Sequence, residues 1–245
     1  MDSQQSIKLP FAGFLFDLDG TIVDSTTAIV KHWEAIGTEI GVSPQLILET
    51  SHGRRSIDTF KEIAPDKATW EYVGEVEGKI PLLYGADAVE IPGARSLLED
   101  LTARSAPWAI VTSGTAPLAS GWLNVLSLPK PEHLVTAESV QEGKPDPSCY
   151  LMGLEKLGIL KGNATAADVL VLEDSPAGIK AGKAAGCQVI GLVTSHRLEQ
   201  VAAAEPDWVV KDLESVRVVT SREGKVIVEI SHPLQVRVSE REREN

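Results

Sequence analysis

The stretch Phe11-Ala12-Gly13-Phe14-Leu15-Phe16-Asp17-Leu18-Asp19-Gly20-Thr21 constrains this chain more than any other. Its apolar and aromatic run reads as a buried strand of a parallel sheet. The run stops at two carboxylates flanking one leucine, followed by a glycine and a hydroxyl. Strand side chains alternate, so Asp17 and Asp19 project to the same side if the strand continues. In open α/β sheets, ligands bind in the crevice beyond the carboxyl ends of the strands. Two adjacent carboxylates repel each other there unless a cation sits between them or one keeps a proton. The pattern suits a magnesium site, a nucleophile and a proton carrier together.

Downstream, the segments alternate. Asp24-Ser25-Thr26-Thr27 is a helix-start signal, and from there to about Glu90 the chain reads as helices broken by Gly41, Gly53, Pro65 and Pro81. Trp108 to Thr115, running into hydroxyls and glycine, His133 to Thr136, Asp168 to Ser175, ending in carboxylates, and Gln188 to Val193 read as strands, each separated by a helical segment. Such alternation predicts an α/β chain with a Rossmann-like doubly wound parallel sheet. The helical run predicts an inserted cap over residues 25–90, with the core formed by 1–24 and 91–245. Val216 to Thr220 and Lys225 to Ile230 read as a C-terminal β-hairpin.

A length of 245 residues accommodates this arrangement, and 43% hydrophobic with 24% charged residues is ordinary for a globular chain. A formal net charge of −12 argues against nucleic acid or an anionic membrane as the main partner. Met1 to Pro10 lacks the apolar core of a signal peptide, and no apolar run approaches a membrane span. A cytoplasmic location is the expectation, and with nothing demanding a partner chain, so is a monomer. Cys149 and Cys187 lie far apart and read as buried apolar residues.

Three strand ends carry the chemistry: Asp17 and Asp19; Thr112, Ser113 and Thr115; Glu173 and Asp174. Lys144 lies in the Pro-braced loop Gly143-Lys144-Pro145-Asp146-Pro147. In a parallel sheet these groups gather in one crevice. Their types fit phosphoryl transfer, in which an enzyme positions phosphorus and neutralises developing oxygen charge. A carboxylate can attack phosphorus directly, and magnesium favours carboxylate oxygens plus phosphate and water.

Asp17-Leu18-Asp19-Gly20-Thr21 resembles the signature of the haloacid dehalogenase superfamily, and Ser113, Lys144 and Glu173-Asp174 resemble its other motifs in order. Within it, Ser51-His52-Gly53-Arg54-Arg55, Glu77-Gly78-Lys79-Ile80-Pro81 and Glu173 to Gly182 are similar to the fungal 2-deoxyglucose-6-phosphate and glycerol-3-phosphate phosphatases. The resemblance implies that Asp17 is the nucleophile and a metal ligand. It implies that Asp19 handles protons, its backbone carbonyl binding the metal. Ser113 with the backbone of Leu18 and Gly114 would hold phosphate oxygens, Lys144 would neutralise the anions, and Asp174 with Glu173 would complete a Mg2+ site. His52, Arg54, Arg55 and Glu77 are candidate substrate contacts from the cap, although charged loop residues more often face water. The implied activity is a phosphatase of small phosphorylated sugars or polyols. Two rivals are a β-phosphoglucomutase-like mutase and a non-catalytic binding protein on the same fold.

Overall fold

The structure is a computed structural model that describes residues 6–51, 53–222 and 224–234. The elements run β1 (Ser6–Phe11), β2 (Gly13–Phe16), β3 (Val23–Asp24), α1 (Thr26–Ile40), α2 (Pro44–Ser51), α3 (Ser56–Ile63), α4 (Trp70–Tyr84) and β4 (Val89–Glu90). They continue through α5 (Ala94–Ala103), β5 (Trp108–Val111), α6 (Ala116–Val125), β6 (His133–Val135), α7 (Ser148–Leu157), β7 (Val169–Glu173) and α8 (Pro176–Ala184). The last are β8 (Gln188–Leu192), α9 (Leu198–Ala202), β9 (Trp208–Val210), β10 (Val216–Arg222) and β11 (Lys225–Ser231).

Among the described residues, six parallel strands form the main sheet in the order β6-β5-β2-β7-β8-β9. Period-two alternation sorts its side chains between two cores. Phe14, Phe16, Leu170 and Leu172 face one apolar cluster together with α5, α6 and the hairpin. Leu15, Val169 and Val171 face the other, against α7 and α8. A sheet covered on both faces explains why its strands are continuously apolar. The chain leaves central β2 to build one flank with β5 and β6, then returns to β7 on the opposite side. That reversal opens a crevice at the carboxyl end of β2.

The expected single strand from Phe11 is two strands. Phe11 closes β1, which pairs with β11 in a separate antiparallel sheet ordered β1-β11-β10. Ala12 breaks the run, its amide bonding to Asp168 O at 2.7 Å. Being at an edge, β1 tolerates Pro10. The hairpin itself forms where the sequence placed it.

Helices α1 to α4 form an insert with its own apolar cluster, centred on Trp33, Ile47, Phe60 and Val73. Its two ends are tied by β3 and β4, a two-residue antiparallel ribbon too short to show any alternation in the sequence. Where α4 crosses α6, Pro81 lies against Gly121, and a Cβ on that glycine would collide with the proline ring. Both cysteines are buried and unpaired. No helix among the described residues is long and apolar enough to cross a membrane.

Candidate active site

Asp17 follows directly on β2, and its amide donates to Leu172 O of β7 at 3.0 Å, so the carboxylate stands at the crevice between the two strands. The turn that follows is held by Leu18 O, which accepts the amides of Thr21, Ile22 and Val23. Gly20 makes that turn possible. Its φ is +84°, and a Cβ there would collide with the Asp174 carboxylate. The turn sends the two aspartates to different partners, since Asp19 accepts a hydrogen bond from the Ser25 hydroxyl at the start of α1. Both line the same cleft.

Lys144 crosses into the crevice from its loop. Its ammonium donates to Asp17 Oδ1 at 2.6 Å, to Glu173 Oε1 at 2.6 Å and to Val111 O at 3.1 Å. Glu173 has no solvent exposure, and both its oxygens are taken: Oε1 by Lys144 and Tyr150 Oη, Oε2 by the amide and hydroxyl of Ser175. Asp174 accepts from Thr21 Oγ1 at 3.1 Å and from the Ser195 hydroxyl. Asp17, Glu173 and Asp174 bring one oxygen each within 4.8 Å of one another.

The charge balance here is unequal. Three buried carboxylates share one ammonium. Burial pushes the Asp17 carboxyl well up against the pull of Lys144, and Glu173 and Asp174 push it further. Burial and the neighbouring Glu173 raise Asp174 to about 7. For Lys144, burial works downward, but Asp17 and Glu173 outweigh it and hold the ammonium charged. Protein groups alone leave the cluster too negative, which is the condition a divalent cation relieves. The residues present therefore fit a hard cation with oxygen ligands.

On the β5 side, the Thr112 hydroxyl accepts the Gly114 amide at 2.9 Å, and the Ser113 hydroxyl donates to Gly53 O of the insert at 3.3 Å. The Gly114 amide is thus engaged within its own loop. Of the insert residues singled out in the sequence, Arg54 lines the cleft and pairs with Glu62 at 2.6 Å. Glu77 is buried on α4, accepting from the Ser56 hydroxyl and from the Thr115 amide of the core. Arg55 does not line the cleft. Buried at 3% exposure, it bonds Asp58 and reaches Val140 O at 2.9 Å and Ala137 O at 3.4 Å. His52 lies outside the described residues.

Sequence reasoning quoted Thr21 and Ser175 within its motifs but gave no role to them, to Tyr150 or to Ser195, all of which orient the carboxylates. Ser195 carried a usable signal, because Thr194-Ser195-His196 follows β8 just as polar residues follow β2, β5 and β7. Tyr150 carried none; nothing in its spacing points to Glu173.

A carboxylate paired with a buried lysine, a second aspartate in the same cleft and a cation-ready cluster lie together at the switch point of a doubly wound sheet, where ligands of such folds bind. The chain belongs to the haloacid dehalogenase-like hydrolases, whose family model matches residues 14–192. It is 40% identical over 216 residues to glycerol-1-phosphate phosphohydrolase 1 of Saccharomyces cerevisiae, covering 86% of each chain. It is 36% identical over 234 residues to 2-deoxyglucose-6-phosphate phosphatase 1 of the same yeast, covering 90% of this chain and 95% of that one. A hydrolase from Pseudomonas syringae superposes with a TM-score of 0.67 at 26% identity, over 82% of this chain and 94% of the other.

Proposed function

We propose that the protein is a magnesium-dependent phosphatase of small sugar or polyol monophosphates that works through an aspartyl-phosphate on Asp17. The observation that carries this reading is the placement of Asp17 between Lys144 and Asp174 at the floor of a cleft roofed by the helical insert. The two yeast relatives, named for glycerol-1-phosphate and 2-deoxyglucose-6-phosphate, support the substrate class.

Lys144 holds Oδ1 of Asp17, so Oδ2 is the oxygen that meets phosphorus. Asp19 lines the same cleft, where burial raises its pKa and so favours the protonated form that a general acid needs. It gives that proton to the leaving alcohol and takes one from water in the second half of the reaction. Ser113 would turn from Gly53 O to a phosphate oxygen. Asp17, Asp174 and the carbonyl of Asp19 would hold Mg2+, which supplies charge neutralisation to the transferring phosphoryl group. Glu173, with both oxygens engaged, fixes Lys144. Residues 25–90 act as the cap that excludes water and shapes the pocket.

The test is phosphate release from a panel of sugar and polyol phosphates, with magnesium and with EDTA. Turnover is expected only with the metal, and Asp17→Asn should lower kcat by at least roughly 10³-fold. Wild-type rates in Asp17→Asn would overturn the mechanism, and an isomerised sugar phosphate without free phosphate would make the protein a mutase.

A further inference from the structure

The cleft extends from the carboxylates towards the insert, where Ile29, Val30, Trp33 and Ile80, with Leu118 of α6, supply apolar lining. The polar residues of that wall include one imidazole. His32 of α1 is 5% exposed and belongs to the cleft wall. Among the described residues, its Nε2 has no hydrogen-bond partner. Four buried side-chain polar atoms among the described residues share that condition, and only His32 Nε2 belongs to a residue on the cleft. An unmade buried hydrogen bond destabilises a fold, so folds retain few of them.

The chemistry of the unmet atom narrows what it can meet. Burial lowers the His32 pKa to about 4, so the ring is neutral under ordinary conditions. Neutral imidazole has one donor and one acceptor nitrogen. Whichever Nε2 is, a hydroxyl can answer it, because a hydroxyl both donates and accepts. A second phosphate or a carboxylate would instead call for a cation. The polar groups nearest the roof do not offer one freely: Glu77 contributes a carboxylate, and Arg54 is engaged by Glu62.

We infer that His32 reads the leaving alcohol: its Nε2 hydrogen-bonds a hydroxyl on the carbon chain of a polyol or sugar monophosphate lying against Ile29, Trp33 and Leu118. This rests on the phosphatase reading and adds the contact by which substrates are ranked. A site whose polar atom goes unpaired when the hydroxyl is missing rejects the deoxy analogue more strongly than an apolar wall does.

The experiment compares kcat/KM for a polyol phosphate with that for the alkyl phosphate of equal length, in wild type, His32→Phe and His32→Gln, with magnesium present. The wild-type ratio should favour the polyol ester. His32→Phe should reduce that ratio about tenfold, and His32→Gln, which returns an amide near Nε2, should keep it within about threefold. A histidine that serves packing alone would change both esters in parallel and leave the ratio intact, which would overturn the inference. So would a wild-type ratio near one. If circular dichroism shows His32→Phe unfolded, the ratio is read in the smaller His32→Leu. Absence of phosphate release from both esters in wild type would overturn the phosphatase reading itself, whereas release with an unmoved ratio removes only the role of His32.

Discussion

Buried ionisable side chains in this protein are kept in three different ways, and the difference separates framework from machinery. Glu173 and Lys144 are saturated by protein partners, so they are fixed points. For Asp17 and Asp174, burial first and then the neighbouring carboxylates raise both pKa values, which prepares them for a cation. His32 is kept neutral instead, its pKa lowered from 6.5 to about 4 by burial. The sign of its effect on stability follows. Between those two values the unfolded chain binds a proton that the folded chain refuses, so stability falls as pH drops through that window. At pH 5 the loss from this one group is roughly 2 kcal/mol, and almost none of it is present at pH 7. His32→Phe has no such group. Its urea-unfolding free energy should therefore fall less between pH 7 and pH 5 than that of wild type, by roughly 2 kcal/mol. An equal fall in both proteins would show that the imidazole already titrates freely in the folded state.

At the scale of elements, the site depends on how closely α8 follows β7. Glu173 ends the strand, Ser175 begins the helix by accepting the Gly178 amide, and Gly178 then passes directly over the Glu173 carboxylate. A Cβ at Gly178 would occupy the space of that carboxylate. Gly178→Ala must push Glu173 aside and with it the anchor of Lys144, a buried charge network that does not tolerate a missing member. A loss of about 3 kcal/mol in stability is expected, read by denaturant unfolding, together with a fall in kcat. Unchanged stability and turnover would mean that the helix shifts at no cost. Much of this arrangement was legible beforehand. The strands of the main sheet are short apolar runs closed by polar residues, and that contrast marks both the sheet and its functional edge. Less was legible where signals are local and weak. The break at Ala12, the two-residue ribbon of β3 and β4, and the three residues of β9 are too short to carry periodicity. The role of Arg55 was hidden for another reason: residue type shows a charge in a loop, but only the packed fold shows that it faces main-chain carbonyls instead of the cleft.

At the scale of the molecule, polar contacts among the described residues join the insert to the core around the cleft. Ser113 bonds Gly53 O, the Thr115 amide bonds Glu77, and the Arg55 guanidinium spans from α3 to the carbonyls of Ala137 and Val140. Arg55 also sits 5.8 Å over the Trp70 ring, so its charge is held between the two parts by an aromatic face, Asp58 and the core backbone. If the insert acts as the proposed cap, these contacts hold it over the cleft, and the ribbon of β3 and β4 is the connection about which it would open. If Arg55 secures closure, its loss acts on all substrates alike, because the residue lies outside the cleft that distinguishes them. Arg55→Met keeps the aliphatic stem and removes the charge. It should raise KM about tenfold for every ester tested while leaving their order unchanged, since weakened closure lowers the population competent to bind by a common factor. Steady-state kinetics across a series of chain lengths checks this. A change in the order of substrates would place the guanidinium in contact with the leaving alcohol, and unchanged KM values would show that Ser113, Glu77 and the α4–α6 packing close the cleft without it.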